Sequence, residues 1–359
     1  MSLFSPVSIV LNTTRLGPAA PSTLNNNEAT ELLVTVLRGL TNVKRLTVDF
    51  WDPPTCYNVD AAFSTAWLSF GGQLRTLFLG GHLKTFRTII ESRPALPVLE
   101  ELIFQLTDPF LITGEDNVSV LDNTVAPFIN SLSPTLTKLV LWSWSSLDLS
   151  SLLTHLKRIP HLKKFHIRTP FNKAFVSDPS GLAHFIKTHR TTLEEIQLWL
   201  NPSGATSDSA LDEPLSLWLS HMINDIPDFP RLKDLQMYPT RLPIGFDALT
   251  VAIARSLSSL TNLVVRDLYM STTTLLRLLD ALAAEGPNTT LRSLRMNVLS
   301  FNGSLFEAMA AKLPTLVSLS LYIGDSAVNA VRILTGHPWA SSYVTFTGEL
   351  RRHVARKEV

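Results

Sequence analysis

A short apolar template, Leu-x-x-Leu-x-Leu with any aliphatic residue or Phe allowed at the fixed positions, recurs about ten times in order along the chain. It begins with Val43/Leu46/Val48, Leu74/Leu77/Leu79 and Leu99/Leu102/Phe104. It continues with Leu136/Leu139/Leu141, Leu162/Phe165/Ile167, Leu193/Ile196/Leu198 and Leu232/Leu235/Met237, and closes with Leu291/Leu294/Met296 and Leu316/Leu319/Leu321. Between the last three stands "LTNLVVRDLYM", where Val265/Leu268/Met270 is the preferred match and Leu260/Leu263/Val265 competes. Phe4/Val7/Ile9 reads as a degenerate first copy. Successive copies lie 25 to 39 residues apart. One match means little in a chain rich in leucine, but an ordered series at bounded spacing is the signature of a solenoid.

The intervals carry amphipathic runs with apolar residues three and four apart, such as "ATELLVTVLRGL", "HLKTFRTIIESR", "LSSLLTHLKRI" and "TTTLLRLLDALAAE". That spacing predicts helices. Several open on residue types that cap helices, namely Asp60, Ser150, Asp247 and Ser304. Pro94, Pro97, Pro134, Pro160, Pro230 and Pro314 fall just before the triplets, where a helix must stop and the chain turn.

Each unit is therefore strand, loop, helix and return loop. One strand cannot bury its leucines alone, so neighbours stack into a parallel sheet with helices behind. The expected architecture is a curved right-handed α/β solenoid, with the sheet on the concave side and the helices on the convex side. Residues 1–28 are expected to form an N-terminal cap or degenerate repeat, 29–335 the solenoid, and 336–359 a C-terminal cap with a basic tail.

Phrases such as "LTNVKRLTV", "LPVLEELIF", "FPRLKDLQM" and "LPTLVSLSL" resemble the leucine-rich-repeat superfamily. Their irregular spacing is similar to that of the repeat regions of fungal F-box proteins. The resemblance spans about residues 35 to 325 and implies the fold directly, but the function only by association. The superfamily often places Asn or Cys just after the strand to hold the loop. Here Asn201 alone fits, so the loops must be held by other means. An F-box near the N-terminus would be implied if the protein recruits a ubiquitin ligase through a Skp1-type adaptor. "ELLVTVLRGL", Glu31 to Leu40, resembles its opening helix, but the Leu-Pro that should precede it is absent and a repeat strand follows. It reads as the helix of the first repeat; an F-box would have to lie on a missing N-terminal piece or not exist.

Side chains alternate across a strand, so the neighbours of the buried leucines share the concave face. Trp142, Trp199, Tyr238 and Tyr322 occupy its strand-exit column, joined by Tyr269 in the preferred register. Lys164, His166 and Arg168 supply charge. Large amphipathic rings flanked by mixed charge match interface hot-spot composition. The alternative is that the rings fold onto adjacent loops and complete the core. Three long connections, "TDPFLITGEDNVSV", "RTPFNKAFVSDPS" and "NPSGATSDSALDE", leave strands on one edge, where insertions in repeat proteins often build binding sites.

Charged residues are 17% of the 359 and the net charge is +1. No broad basic field exists to favour nucleic acid or an anionic membrane. The one cysteine, Cys56, cannot form an internal disulfide and lacks a basic neighbour to activate it, which fits a reducing, intracellular compartment, cytoplasmic or nuclear. No uninterrupted apolar run approaches the ~18 residues that span a bilayer. His155, His161, His166, His184 and His189 crowd one region without metal-ligand spacing. "LGGHLK" lacks a phosphate-loop pattern and reads as a turn after a strand. No nucleophile elbow or paired carboxylates stand out, and no cofactor is implied. The basic tail "ELRRHVARKEV" reads as a solvated terminal helix. The expected function is a non-enzymatic protein-binding scaffold. By resemblance it is the substrate-recognition part of an F-box-type ubiquitin ligase adaptor; the alternative is a standalone scaffold with no ligase role. The residues expected to bind the partner protein are Trp142, Lys164, His166, Arg168, Trp199, Tyr238 and Tyr322.

Overall fold

The apolar triplets are strands, and their alternate residues are buried as the period of two requires. Leu136, Leu139 and Leu141 are all 0% exposed, while Lys138, Val140 and Trp142 between and beside them are only half-buried. The computed structural model describes residues 7–12, 26–50, 59–91, 94–106, 117–143, 147–170, 179–200, 212–284, 286, 289–300, 303–324 and 342–347. Cys56, Asn201, most of the three long connections and the basic tail lie outside the described residues.

The chain divides into two units, residues 1–192 and 193–359. The first holds β1 (Val7–Asn12), α1 (Asn26–Gly39), β2 (Val43–Phe50), α2 (Val59–Phe70), β3 (Thr76–Gly81), α3 (Leu83–Glu91) and β4 (Glu101–Gln105). A short helix α4 (Asn117–Val120) then runs through a π-turn (Leu121–Val125) into α5 (Ala126–Ser131). β5 (Lys138–Trp142), α6 (Ser150–His155), β6 (Lys164–Arg168) and α7 (Ser180–His189) complete the unit. Strands β1 to β6 pair in chain order, all in parallel. Helices cover the leucine face: Phe104 of β4 packs between Phe86 of α3 and Phe128 of α5, with ring centroids 5.4 and 6.3 Å away.

The second unit comprises β7 (Glu195–Trp199), α8 (Asp212–Asn224), β8 (Asp234–Met237), α9 (Pro243–Ala254), β9 (Asn262–Met270), α10 (Thr272–Leu282), β10 (Ser293–Val298), α11 (Gly303–Lys312), β11 (Ser318–Ile323) and β12 (Ser342–Thr347). β7 to β11 pair in parallel, and β12 closes the edge antiparallel to β11. With strand and helix alternating and one sheet face buried, each unit is an α/β leucine-rich-repeat-like solenoid.

One backbone device repeats from β3 to β6 and from β7 to β11. The carbonyl just before each strand accepts two N–H groups from the next repeat: Glu100 O takes Thr137 N and Lys138 N, and Lys233 O takes Thr261 N and Asn262 N, at 2.8 to 3.0 Å. In the second unit a hydroxyl ladder runs alongside. The residue before the first leucine donates to the carbonyl of the preceding repeat's first leucine: Ser259 to Leu232 at 2.9 Å, Thr290 to Leu260 at 2.7 Å and Thr315 to Leu291 at 3.0 Å. These hydroxyls satisfy loop carbonyls where an asparagine ladder is missing.

Four expectations need correction. In β9 it is Leu263 and Val265 that pair with Leu294 and Met296, and Leu260 is 1% exposed. The triplet is therefore Leu260/Leu263/Val265, and Arg266, Asp267 and Leu268 are extra residues bulged out before Tyr269 rejoins the ladder opposite Asn297. β1 is shifted by two residues, with Ile9 and Leu11 opposite Leu46 and Val48. "LGGHLK" is a strand end rather than a turn, since Leu79, Gly80 and Gly81 belong to β3 and Leu83 opens α3. A Cβ at Gly80 would sit 2.7 Å from Asp49 Oδ1, so any larger residue there would displace that carboxylate. Finally, Asp60, Ser150, Asp247 and Ser304 lie inside their helices rather than before them. Asp148 instead accepts from Ser150 N at 2.9 Å, and Ser271 caps α10 by accepting from Thr274 N at 3.2 Å.

Candidate functional site

The sheet face opposite the helices carries the second residue of each strand pair, and the parallel register lines these up in rows. In the first unit the middle row runs Thr47, Phe78, Ile103, Val140, His166, each opposite the next. All five are half-buried, and three adjacent ones are apolar, so a hydrophobic stripe crosses the open face. The row at the strand starts is charged except at Thr76: Arg45, Thr76, Glu101, Lys138, Lys164, with Glu101 and Lys138 paired at 3.7 Å. The exit row ends on Trp142 opposite Arg168, whose guanidinium lies 4.8 Å from the ring centroid.

The second unit repeats this cation-on-aromatic motif twice. Arg266 of β9 lies 4.2 Å from the Trp199 ring of β7. With its carboxamide oxygen turned toward them, Gln236 on the intervening strand accepts from Trp199 Nε1 at 3.1 Å and Arg266 Nη1 at 3.2 Å. Arg295 stacks 4.9 Å from the Tyr322 centroid and donates to its phenol oxygen. A guanidinium over a ring keeps the ring's face polarised and fixes its rotamer.

The expected site residues divide accordingly. Trp142, His166 and Arg168 are on the open face of the first unit, half-buried, and Lys164 is exposed. Trp199 and Tyr322 are on the open face of the second, half-buried. Tyr238 is 7% exposed and follows the end of β8, so its ring belongs to the core. Tyr269 reaches the open face, 39% exposed, although through the bulge rather than the expected register. Arg266 and Arg295, the partners of two of these rings, carry no signal in the strand pattern. Ser259 just before Leu260 was the available signal for the correct β9 register, because Thr290 and Thr315 hold the same place in their repeats.

Two polar clusters hold residue types that could do chemistry. Asp122, Ser151 and His155 come together, but Ser151 Oγ donates to Asp122 Oδ2 at 2.6 Å while His155 Nδ1 lies 2.9 Å from Ser151 O. The serine proton is directed at the carboxylate and not at the imidazole, which is the reverse of a nucleophile–base–orienter chain. The group ties α6 to the π-turn. His189 is 1% exposed; its Nδ1 faces Phe185 O at 2.7 Å and its Nε2 accepts from Ile159 N at 2.9 Å. Burial pulls its pKa down, so it is a neutral core histidine. Among the described residues, no group of three or more His, Cys, Asp or Glu could hold a metal, and no helix is long and apolar enough to cross a membrane.

No family model and no curated protein matches the chain. Among solved structures it is similar to a chain of the yeast Rad7–Elc1 complex, at 16% identity over 82% of both chains with a TM-score of 0.34. It is also similar to a protein from Bacteroides fragilis, at 14% identity over 82% of this chain and 72% of that one, with a TM-score of 0.37. The fold assignment rests on the strand register and burial described above.

Proposed function

We propose that the protein is a non-enzymatic scaffold that binds a partner protein on the open faces of its sheets. The observation that carries this reading is the recurrence of an arginine over an exit-column ring at three separate repeats. Aromatic and arginine side chains are the types that dominate binding energy at interfaces, and a stacked pair is pre-organised before the partner arrives. The apolar stripe Phe78, Ile103 and Val140, bordered by a charged row, adds the dry centre and polar rim of an interface. The finer reading is that the scaffold is the substrate-recognition part of an F-box-type ubiquitin ligase adaptor. It rests on the resemblance of the repeats alone.

The test uses the full chain as bait, with cross-linking to map the contact. Trp142→Ala, Trp199→Ala and Tyr322→Ala should each reduce capture of the same partner, and cross-links should fall on the strand starts and exits. Capture that is unchanged in all three, with cross-links confined to the helices, sinks the open-face reading. A separate pull-down with Skp1 tests the ligase connection: no interaction removes that part and leaves the scaffold.

A further inference from the structure

A cavity opens in the second unit where three departures from the regular repeat meet. About 470 Å³ in volume, it lies at the strand exits, between the turn after β8 and the end of β9. The β9 bulge brings Leu268 and Tyr269 to its wall. The turn after β8 holds Thr240, a β-branched residue at φ 67° whose hydroxyl is 2.6 Å from Ser216 Oγ. Strain of this kind persists only where the surroundings over-determine it, and it gathers at ligand sites. Two glycines then set the walls. A Cβ at Gly245 would come 2.1 Å from both Pro239 O and Thr240 Oγ1, so this glycine lets α9 start tight against the turn. A Cβ at Gly324 would come 2.6 Å from the Tyr269 ring, so that ring lies flush on the backbone beyond β11.

Most of the polar lining is already committed to the protein. The Thr240 hydroxyl pairs with Ser216, and Ser271 Oγ pairs with Thr274 Oγ1 at 3.0 Å while capping α10. Charge gives no strong preference of sign. Arg277 lies 5.1 Å from the Phe246 centroid and donates to Asp247 at 2.8 Å, and Arg241 has a protein partner of its own. The bulge itself carries Arg266 and Asp267 in succession, adding opposite formal charges. Among the described residues, Tyr269 carries the one lining hydroxyl that makes no hydrogen bond. What remains for a ligand is apolar: Pro243, Phe246, Leu268, Met270 and Leu299. Tyr269 and Leu299 stay 39% and 47% exposed there, apolar surface that an occupant would take out of water. A cavity of this volume, mainly apolar with one uncommitted polar group, has the make-up of a small-molecule site.

We propose that this cavity binds an uncharged, ring-based small molecule that packs against Phe246, Leu268 and Leu299 and hydrogen-bonds the Tyr269 phenol through one hydroxyl or carbonyl. The site shares Tyr269 with the open face but does not depend on a protein partner binding there.

The full chain is titrated with N-phenyl-1-naphthylamine, an uncharged probe that fluoresces on leaving water, and the probe is then displaced. The expected result is one saturable site. 1-Naphthol should displace the probe about threefold to tenfold better than 1-methylnaphthalene, which has the same size without the hydroxyl. Tyr269→Phe should erase that difference. 1-Naphthalenesulfonate should displace no better than 1-naphthol. Leu299→Asp, which sets a charge at the apolar wall, should weaken probe binding by about tenfold or more. Leu217→Asp, at an exposed leucine of α8 outside the lining, should bind as the parent does. A preference for the sulfonate over 1-naphthol overturns the proposal, as does a hydroxyl that brings no gain or whose gain survives Tyr269→Phe. So does a folded Leu299→Asp that binds within about twofold of the parent. Should Leu299→Asp unfold, Leu268→Ala serves in its place, with a loss of about threefold or more expected and binding within about twofold again overturning the proposal.

Discussion

Thr290 donates its hydroxyl to the carbonyl of Leu260 at 2.7 Å, tying the start of one repeat to the start of the one before it. Ser259 and Thr315 do the same on either side. The three hydroxyls replace a side-chain amide ladder with shorter side chains, each within reach of at least two loop carbonyls. Thr290→Val keeps the shape and removes the donor. It should lower stability by about 1 kcal/mol, read as a fall in urea midpoint with unchanged slope. No change would mean that the ladder is decorative.

The β9 register makes a sharper test. Leu263 is 0% exposed, whereas Leu268 is half-buried in the bulge. Leu263→Ala should therefore cost about 2–5 kcal/mol, and Leu268→Ala less than about 1 kcal/mol. The opposite order would restore the register that "LVVRDLYM" first suggests.

That ambiguity shows what the residues reveal by themselves. Triplets with polar residues on both sides, such as those in "LTKLVLW" or "FPRLKDLQM", identify their strands and open-face neighbours without structural help. "LTNLVVRDLYM" offers two overlapping matches, and periodicity cannot choose between them, since an odd insertion simply changes which residues face inward. The same limit explains Tyr238. Its position in the repeat equals that of Trp199, but β8 ends at Met237 and the following turn folds the ring inward. Pairings between distant residues, such as Arg266 with Trp199, depend on rotamers that no single-strand pattern encodes.

Buried His189 predicts a pH response. Its folded pKa lies below the unfolded value, chiefly through burial, so above pH 6.5 the imidazole is neutral in both states and costs nothing. As pH falls below 6.5, the unfolded chain takes up a proton that the folded one refuses, and stability declines until the folded pKa is reached. Urea midpoints measured between about pH 7.5 and 5 should fall, and His189→Gln should flatten that slope. Equal slopes would place the titration elsewhere.

On the open faces, Trp142→Ala and Tyr322→Ala remove half-buried rings whose arginines can turn to solvent. Each should leave the unfolding midpoint within about 1 kcal/mol of the parent, yet weaken partner binding by about tenfold or more. A large loss of stability would assign the rings to the core instead.

Gly245→Ala should be among the most damaging single-methyl additions, by more than about 2 kcal/mol, because the atoms it meets are a backbone carbonyl and a locked hydroxyl. Gly303→Ala, with nothing within 4 Å of the added carbon, is the matched control and should be near neutral by thermal unfolding.

The bulge in β9 adds three residues without breaking its register with β10: below it Val265 still faces Met296, and beyond it Met270 still faces Val298. A single rung can thus lengthen or shorten while the rest of the stack stays put. Such a chain can acquire new contacts one tier at a time, and length changes there need no compensating mutation elsewhere.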